Sequence, residues 1–194
     1  MQTKKVNSNA GFSLVELIVV VAIMGLLIGG TLITYYTISS HNINKAKGSI
    51  EDGFNEVRNR AMSTQAKSWE IVITADDVKV YRVDSVTQAG GGSSDVLTDI
   101  QGNKLPKNVS ISLTQSNSPT EYLISNSSTG YDSINISFKL LSGEVNKVSV
   151  VKDGTTTVLF TDDEAQYCDI ILKFRNRTKN IRLYYATGKF IADE

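Results

Sequence analysis

A chain of 194 residues is long enough for one ordinary domain with an extra element at one end, and too short for several. Lys and Arg together number 20, as do Asp and Glu, so a net charge of zero gives no global attraction to nucleic acid or acidic lipid. The single cysteine, Cys168, excludes an internal disulfide and any multi-cysteine metal site. The lone His41 lacks the carboxylate or cysteine neighbours of a metal site and reads as an ordinary solvated or interfacial side chain, so no metal and no cofactor is expected.

Hydrophobic residues make up 41% of the chain but are unevenly spread. Residues 1–11, MQTKKVNSNAG, are polar, with Lys4 and Lys5 as their only charges. From Phe12 to Ile33 nearly every residue is apolar or small, and the only charge is Glu16. As a helix this run is about 33 Å long, roughly one bilayer core. Lys4 and Lys5 favour a cytoplasmic N-terminus, which puts the remainder outside the cytoplasm. A removed secretory signal would have a shorter apolar region and a small-residue cleavage site, for which Gly29-Gly30-Thr31 is a poor candidate. A plain signal anchor leaves Glu16 unexplained, because an acid in the membrane is costly and wants a partner.

Gly11-Phe12-Ser13-Leu14-Val15-Glu16 followed by LIVVVAIMGLL resembles the class III prepilin signal of type IV pilins and type II secretion pseudopilins. The resemblance implies that a membrane-embedded peptidase cuts between Gly11 and Phe12 and N-methylates Phe12. It also implies that Glu16 pairs with a terminal amine during assembly. The amine and the carboxylate, about one turn apart, are each costly alone in a low dielectric, and pairing removes most of that cost. Between subunits the pair would fix axial register; within one chain it would act only as a partner of the helix dipole. Many major pilins carry a proline near the position of Ile33, whereas the prolines here are Pro106 and Pro119. Gly29-Gly30 could loosen the helix instead, and Gly25-x-x-x-Gly29 allows close helix approach in lipid, unless these glycines are merely tolerated.

Beyond Ser39 the helical period persists. Ile43, Ala46, Ile50, Phe54, Val57 and Ala61 draw one apolar stripe, which predicts a helix from Phe12 to about Lys67 whose second half packs on a sheet. Strands are predicted at Trp69–Thr74 and Val78–Val83, hairpin-linked through Ala75-Asp76-Asp77, and at Val109–Leu113, Ile134–Phe138, Lys147–Val151 and Thr157–Phe160. A C-terminal pair follows at Cys168–Phe174 and Asn180–Tyr185. Asp153-Gly154 marks a turn, and Ser85 to Pro106, with Gly90-Gly91-Gly92, is expected to be a flexible surface loop. The fold class is α+β, one long helix with an antiparallel sheet packed on its second half, which the pilin resemblance also implies. The expected segments are a leader 1–11, a transmembrane half 12–38, an amphipathic half 39–68 and a sheet domain 69–194. The run FNEVRNRAMSTQAKSWEIVI and the IRLYYATGKF close are similar to GspH/FimT-like minor pilins and pseudopilins.

No Ser-His-Asp, G-x-S-x-G, P-loop, H-E-x-x-H or paired-cysteine motif is present, so the chain is not expected to be an enzyme. Asp76-Asp77 and Asp162-Asp163-Glu164 lack the alternating spacing of a calcium loop and read as turns. Lys173, Arg175 and Arg177 are expected on one strand face, either a weak contact for DNA phosphates or a partner, or a solvated face with edge-protecting charges. The resemblance implies as partners other pilin subunits, the prepilin peptidase, the inner-membrane assembly platform and, before assembly, membrane lipid. It implies a single-pass membrane location first and an extracytoplasmic filament or cell surface afterwards. A type II secretion pseudopilin and a tip-located binding subunit for DNA or surfaces are the alternatives to a structural, minor pilus subunit.

Overall fold

The computed structural model describes residues 12–63, 68–87, 93–160 and 166–192. The leader residues, Gly11 included, and Gly90 to Gly92 lie outside them, as do Asp162 to Glu164. One helix, α1, spans Leu14–Ser63 and runs without interruption through Gly29 and Gly30. Ser13 is its N-cap: the Leu17 amide donates to the Ser13 carbonyl at 3.1 Å, the first bond of the helical ladder. By compactness the chain divides into two units, Met1–Ile38 and Ser39–Glu194.

The second unit, the body, holds the last part of α1 and eleven described strands: β1 Ser68–Thr74, β2 Asp77–Thr87, β3 Ser93–Lys104, β4 Ser110–Gln115, β5 Ser118–Ile124, β6 Ser133–Phe138, β7 Val145–Lys152, β8 Thr155–Phe160, β9 Tyr167–Phe174, β10 Arg177–Tyr184 and β11 Phe190–Ala192. They form two antiparallel sheets, ordered β3-β2-β1-β6-β7-β8 and β11-β10-β9-β4-β5. The class is therefore α+β, a long helix on antiparallel sheets. The single sheet expected from sequence is two, because alternation along a strand tells which face is buried and not which neighbour it pairs with.

A second correction concerns the expected loop from Ser85 to Pro106. Most of it is strand: β2 runs on to Thr87 and β3 pairs with it from Thr87↔Ser93 to Asp77↔Lys104. Backbone pairing to β2 carries this edge strand, and its sparse apolar residues gave no alternating signal. The β1–β2 hairpin turns as expected, its bend held by Thr74, whose hydroxyl accepts from the Asp77 amide at 3.0 Å and donates to the Asp77 carboxylate at 2.7 Å.

All six residues of the predicted stripe, Ile43, Ala46, Ile50, Phe54, Val57 and Ala61, are buried. They form one core with Ile71, Ile73, Ile134 and Ile136 of the first sheet and Ile111, Leu113, Ile170 and Leu172 of the second. Phe54 joins the layers, its ring centroid 6.4 Å from that of Phe138 on β6 and 5.6 Å from that of Phe190 on β11. Gly53 lets the helix come close, since a Cβ there would lie 2.7 Å from Ile71 Cδ1. At the helix end the Leu141 amide donates to the Ala61 carbonyl at 2.9 Å, and the Arg60 guanidinium stacks on Trp69 at 5.1 Å.

The sheets are tied by directed bonds as well as by the core. The Val145 amide donates to the Tyr185 carbonyl at 2.9 Å, and Gln115 Nε2 donates to the Leu159 carbonyl at 2.9 Å. Gly188 sits where they meet, at φ 59°, and a Cβ on it would fall 1.8 Å from the Gly143 carbonyl oxygen. Only glycine fits there without a backbone shift.

Candidate functional site

Among the described residues no three His, Cys, Asp or Glu side chains stand together as metal ligands. A shallow open cleft of about 290 Å³ lies between the β1–β2 turn and the end of β5, lined by Asp76, Asn108, Ser110, Ser125 and Asn126 among others. Across it Asn126 Nδ2 donates to Asp76 Oδ2 at 2.8 Å. Cys168 is fully buried on β9, and burial pushes its thiol up to about 12, far from a reactive thiolate.

The N-terminal part of α1 is different in kind. Phe12 is 83% exposed and Leu26 78%, and Leu14, Val15, Leu17 to Val21, Ile23, Met24, Leu27 and Ile28 are exposed as well. Apolar side chains thus point outward on every side of the helix, and a Cβ at Gly25, Gly29 or Gly30 would meet nothing within 4 Å. An all-round apolar helix differs from an amphipathic surface helix, which buries a single stripe. Among the described residues no helix is long and apolar enough to cross a membrane. The described side chains of the apolar run stop at Gly30, whereas in sequence the run continues to Ile33.

Glu16 interrupts this surface in the first turn of α1. With Ser13 as N-cap it occupies the third helical position, so Ser13-x-x-Glu16 has the spacing of a capping box. These four residues lie within the stretch from Gly11 to Glu16 that carries the prepilin resemblance. A carboxylate here faces the positive end of the helix dipole, and Phe12 immediately precedes the cap, so the Phe12 amine and Glu16 are set at one helix end. Gly11, on the other side of the expected cut, lies outside the described residues.

The basic residues near the C-terminus do not share one strand face as expected. Lys173 is on β9, Arg175 lies in the two-residue turn after Phe174, and Arg177 opens β10 opposite Phe174. The first strand ends at Phe174 as predicted, and β10 begins at Arg177, three residues before the predicted Asn180. Lys173 pairs with Glu121 of β5 at 3.1 Å. The Ser112 hydroxyl and then Lys173 hold the Glu121 carboxyl below its usual range. Arg182 makes a bidentate pair with Asp169, at 2.8 and 2.9 Å, and lies over the Tyr167 ring. Arg58 and Gly53, given no role by the sequence reading, prove structural: Arg58 Nη2 donates to the Thr187 carbonyl at 3.3 Å beside the inter-sheet contact.

Residues 6–32 match the prokaryotic N-terminal methylation motif. That span includes Gly11, Phe12 and Glu16. No curated protein and no solved structure matches the chain.

Proposed function

We infer, from the premise that this chain carries the N-terminal methylation motif of type IV pilins and pseudopilins, that it is a structural, minor subunit of a type IV pilus or pilus-like filament. The observation that carries the reading is the contrast along α1: apolar side chains exposed on all sides up to Ile28, then a stripe buried to the last residue from Ile43 to Ala61. The body needs only the second part to fold. The first part is left for lipid before assembly and for neighbouring helices after it.

In this reading the peptidase cuts after Gly11 and methylates Phe12, residues 12–38 hold the chain in the membrane, residues 39–68 complete the helix, and 69–194 carry the sheets. Glu16 is the assembly residue. In the low dielectric of the membrane or filament core its carboxylate is tolerable only with a cation, and the amine of Phe12 on a neighbouring subunit supplies one. The partners are other pilin subunits, the prepilin peptidase and the assembly platform, and no reaction is assigned to the chain. A pseudopilin of a secretion system would use the same segment in the same way.

Intact mass of membrane-extracted protein tests the processing. The expected product lacks residues 1–11 and carries one added methyl group; a retained leader, or a cut beyond Gly30, overturns the reading. Glu16→Ala is expected to leave insertion unchanged or improved and to abolish entry into filaments. Normal incorporation of that variant would show that Glu16 is not the assembly contact.

A further inference from the structure

The whole chain is neutral, but several of its exposed cations gather at one end of the body. One end of it holds Ser39, where α1 enters; the other holds Ala61, where α1 leaves its core. β1 runs back along the helix, with Trp69 beside Arg60 and Ile71 beside Gly53, so the β1–β2 turn at Asp76 lies toward the Ser39 end. Leu105, whose amide donates to the Asp76 carbonyl at 2.8 Å, is brought to the same end, as is Asn126. Ser110, lining the cleft beside Asp76, pairs with Lys173, so the β9–β10 turn projects there too.

Lys104, Lys107, Arg175 and Arg177 are therefore collected at the Ser39 end, all exposed. Four carboxylates, Asp76, Asp77, Asp132 and Asp153, share this end, and with Lys79 and Lys152 counted the cations outnumber them six to four among the described residues. Asp76 accepts from Asn126, Asp77 pairs with Lys79 at 3.5 Å, and Asp132 accepts from the Asp153 amide at 2.8 Å. Arg175 adds a separate observation. It stands at φ 55° in the two-residue turn, a left-handed position that suits glycine or asparagine, and its guanidinium lies 5.3 Å from the Phe174 ring centroid. The turn carries that strain while presenting a cation at its tip.

We propose that this end of the body is a docking surface for anionic lipid headgroups. The inference rests on the reading that the apolar segment is held in a membrane, because the chain leaves the body toward that segment at Ser39, among these cations. A negative leaflet attracts each Lys or Arg near it, by on the order of fivefold in the docking equilibrium, with a reach of about one Debye length. Docking would keep the body on the membrane surface until assembly withdraws the chain into a filament.

The test uses the processed full chain reconstituted in vesicles of phosphatidylcholine alone or with about one third phosphatidylglycerol, a strongly anionic surface. Flotation in a density gradient at high salt reports insertion, and pulsed hydrogen exchange at residues 105–109 and 174–178 reports docking. Exchange there is expected to slow at least about tenfold in the anionic vesicles only, and to recover at high salt, where the field is screened. The double variant Lys107→Glu/Arg177→Glu should float as before and lose the protection. Arg175→Gly, which relieves the left-handed turn, should weaken protection while the body unfolds at the same or higher denaturant. Equal exchange in the two vesicle types, with flotation intact, overturns the docking and leaves the membrane reading standing; failure to float overturns both. Stronger protection by duplex DNA than by phosphatidylglycerol at equal salt would overturn the lipid assignment in favour of nucleic acid.

Discussion

The two halves of α1 are equally long and made by one uninterrupted helix, yet they solve opposite problems. From Leu14 to Ile38 apolar residues occupy almost every position, and the side chains described there are exposed. From Ser39 to Ser63 they are confined, apart from the exposed Met62, to one stripe, and every member of it is buried. Hydrophobicity alone does not set where a helix goes; its angular spread does. A stripe is satisfied by one sheet layer, whereas an all-round surface can be satisfied only by a surrounding medium or a bundle.

The comparison can be broken first from the body side. Phe54→Ala removes a ring wedged between both sheets and is expected to cost about 3–5 kcal/mol. Urea unfolding followed by far-UV circular dichroism would read it, and a loss below about 1 kcal/mol would mean the helix is not integral to the core. Val21→Lys, midway along the other half, should make insertion less favourable by about 2.5–3.5 kcal/mol in a translocon assay, with the body's urea midpoint unchanged. A lowered midpoint would show that this half supports the body after all. Gly188→Ala should cost at least about 2 kcal/mol, since it adds left-handed strain to a clash with the Gly143 carbonyl.

The smallest effect is at the surface. Glu121 has a folded-state carboxyl held below the usual 4.5, so its contribution is fully present above about that pH and fades as pH falls through the folded value. Being largely exposed, the pair with Lys173 contributes little. Glu121→Gln should therefore leave stability nearly unchanged at pH 7 and flatten its decline below about pH 4.5, read from thermal midpoints across pH.

What the sequence disclosed was what depends on local period or local chemistry. The stripe from Ile43 to Ala61 was legible because a 3.6-residue repeat is written in the chain itself. Glu16 was legible because one acid in a lipid-like run has few explanations, and the methylation motif spans it. β5 was not legible, because Pro119 and Glu121 read as loop, yet it is an edge strand that tolerates both. The division into two sheets was hidden for a related reason: Ser110↔Lys173 and Trp69↔Phe138 are pairings across tens of residues. The need for Gly188 was equally distant in origin. Its turn follows from the nearby Thr187 and Lys189, but the atom that forbids a side chain belongs to Gly143.

Cys168 gives the molecule its own clock. It is the chain's one thiol, and it lies beneath the central strand pairings of the five-stranded sheet, flanked by β4 and β10. A thiol so deep reacts only when that sheet parts. The rate at which a bulky maleimide attaches would therefore time the opening of the body, whether in detergent or on a vesicle.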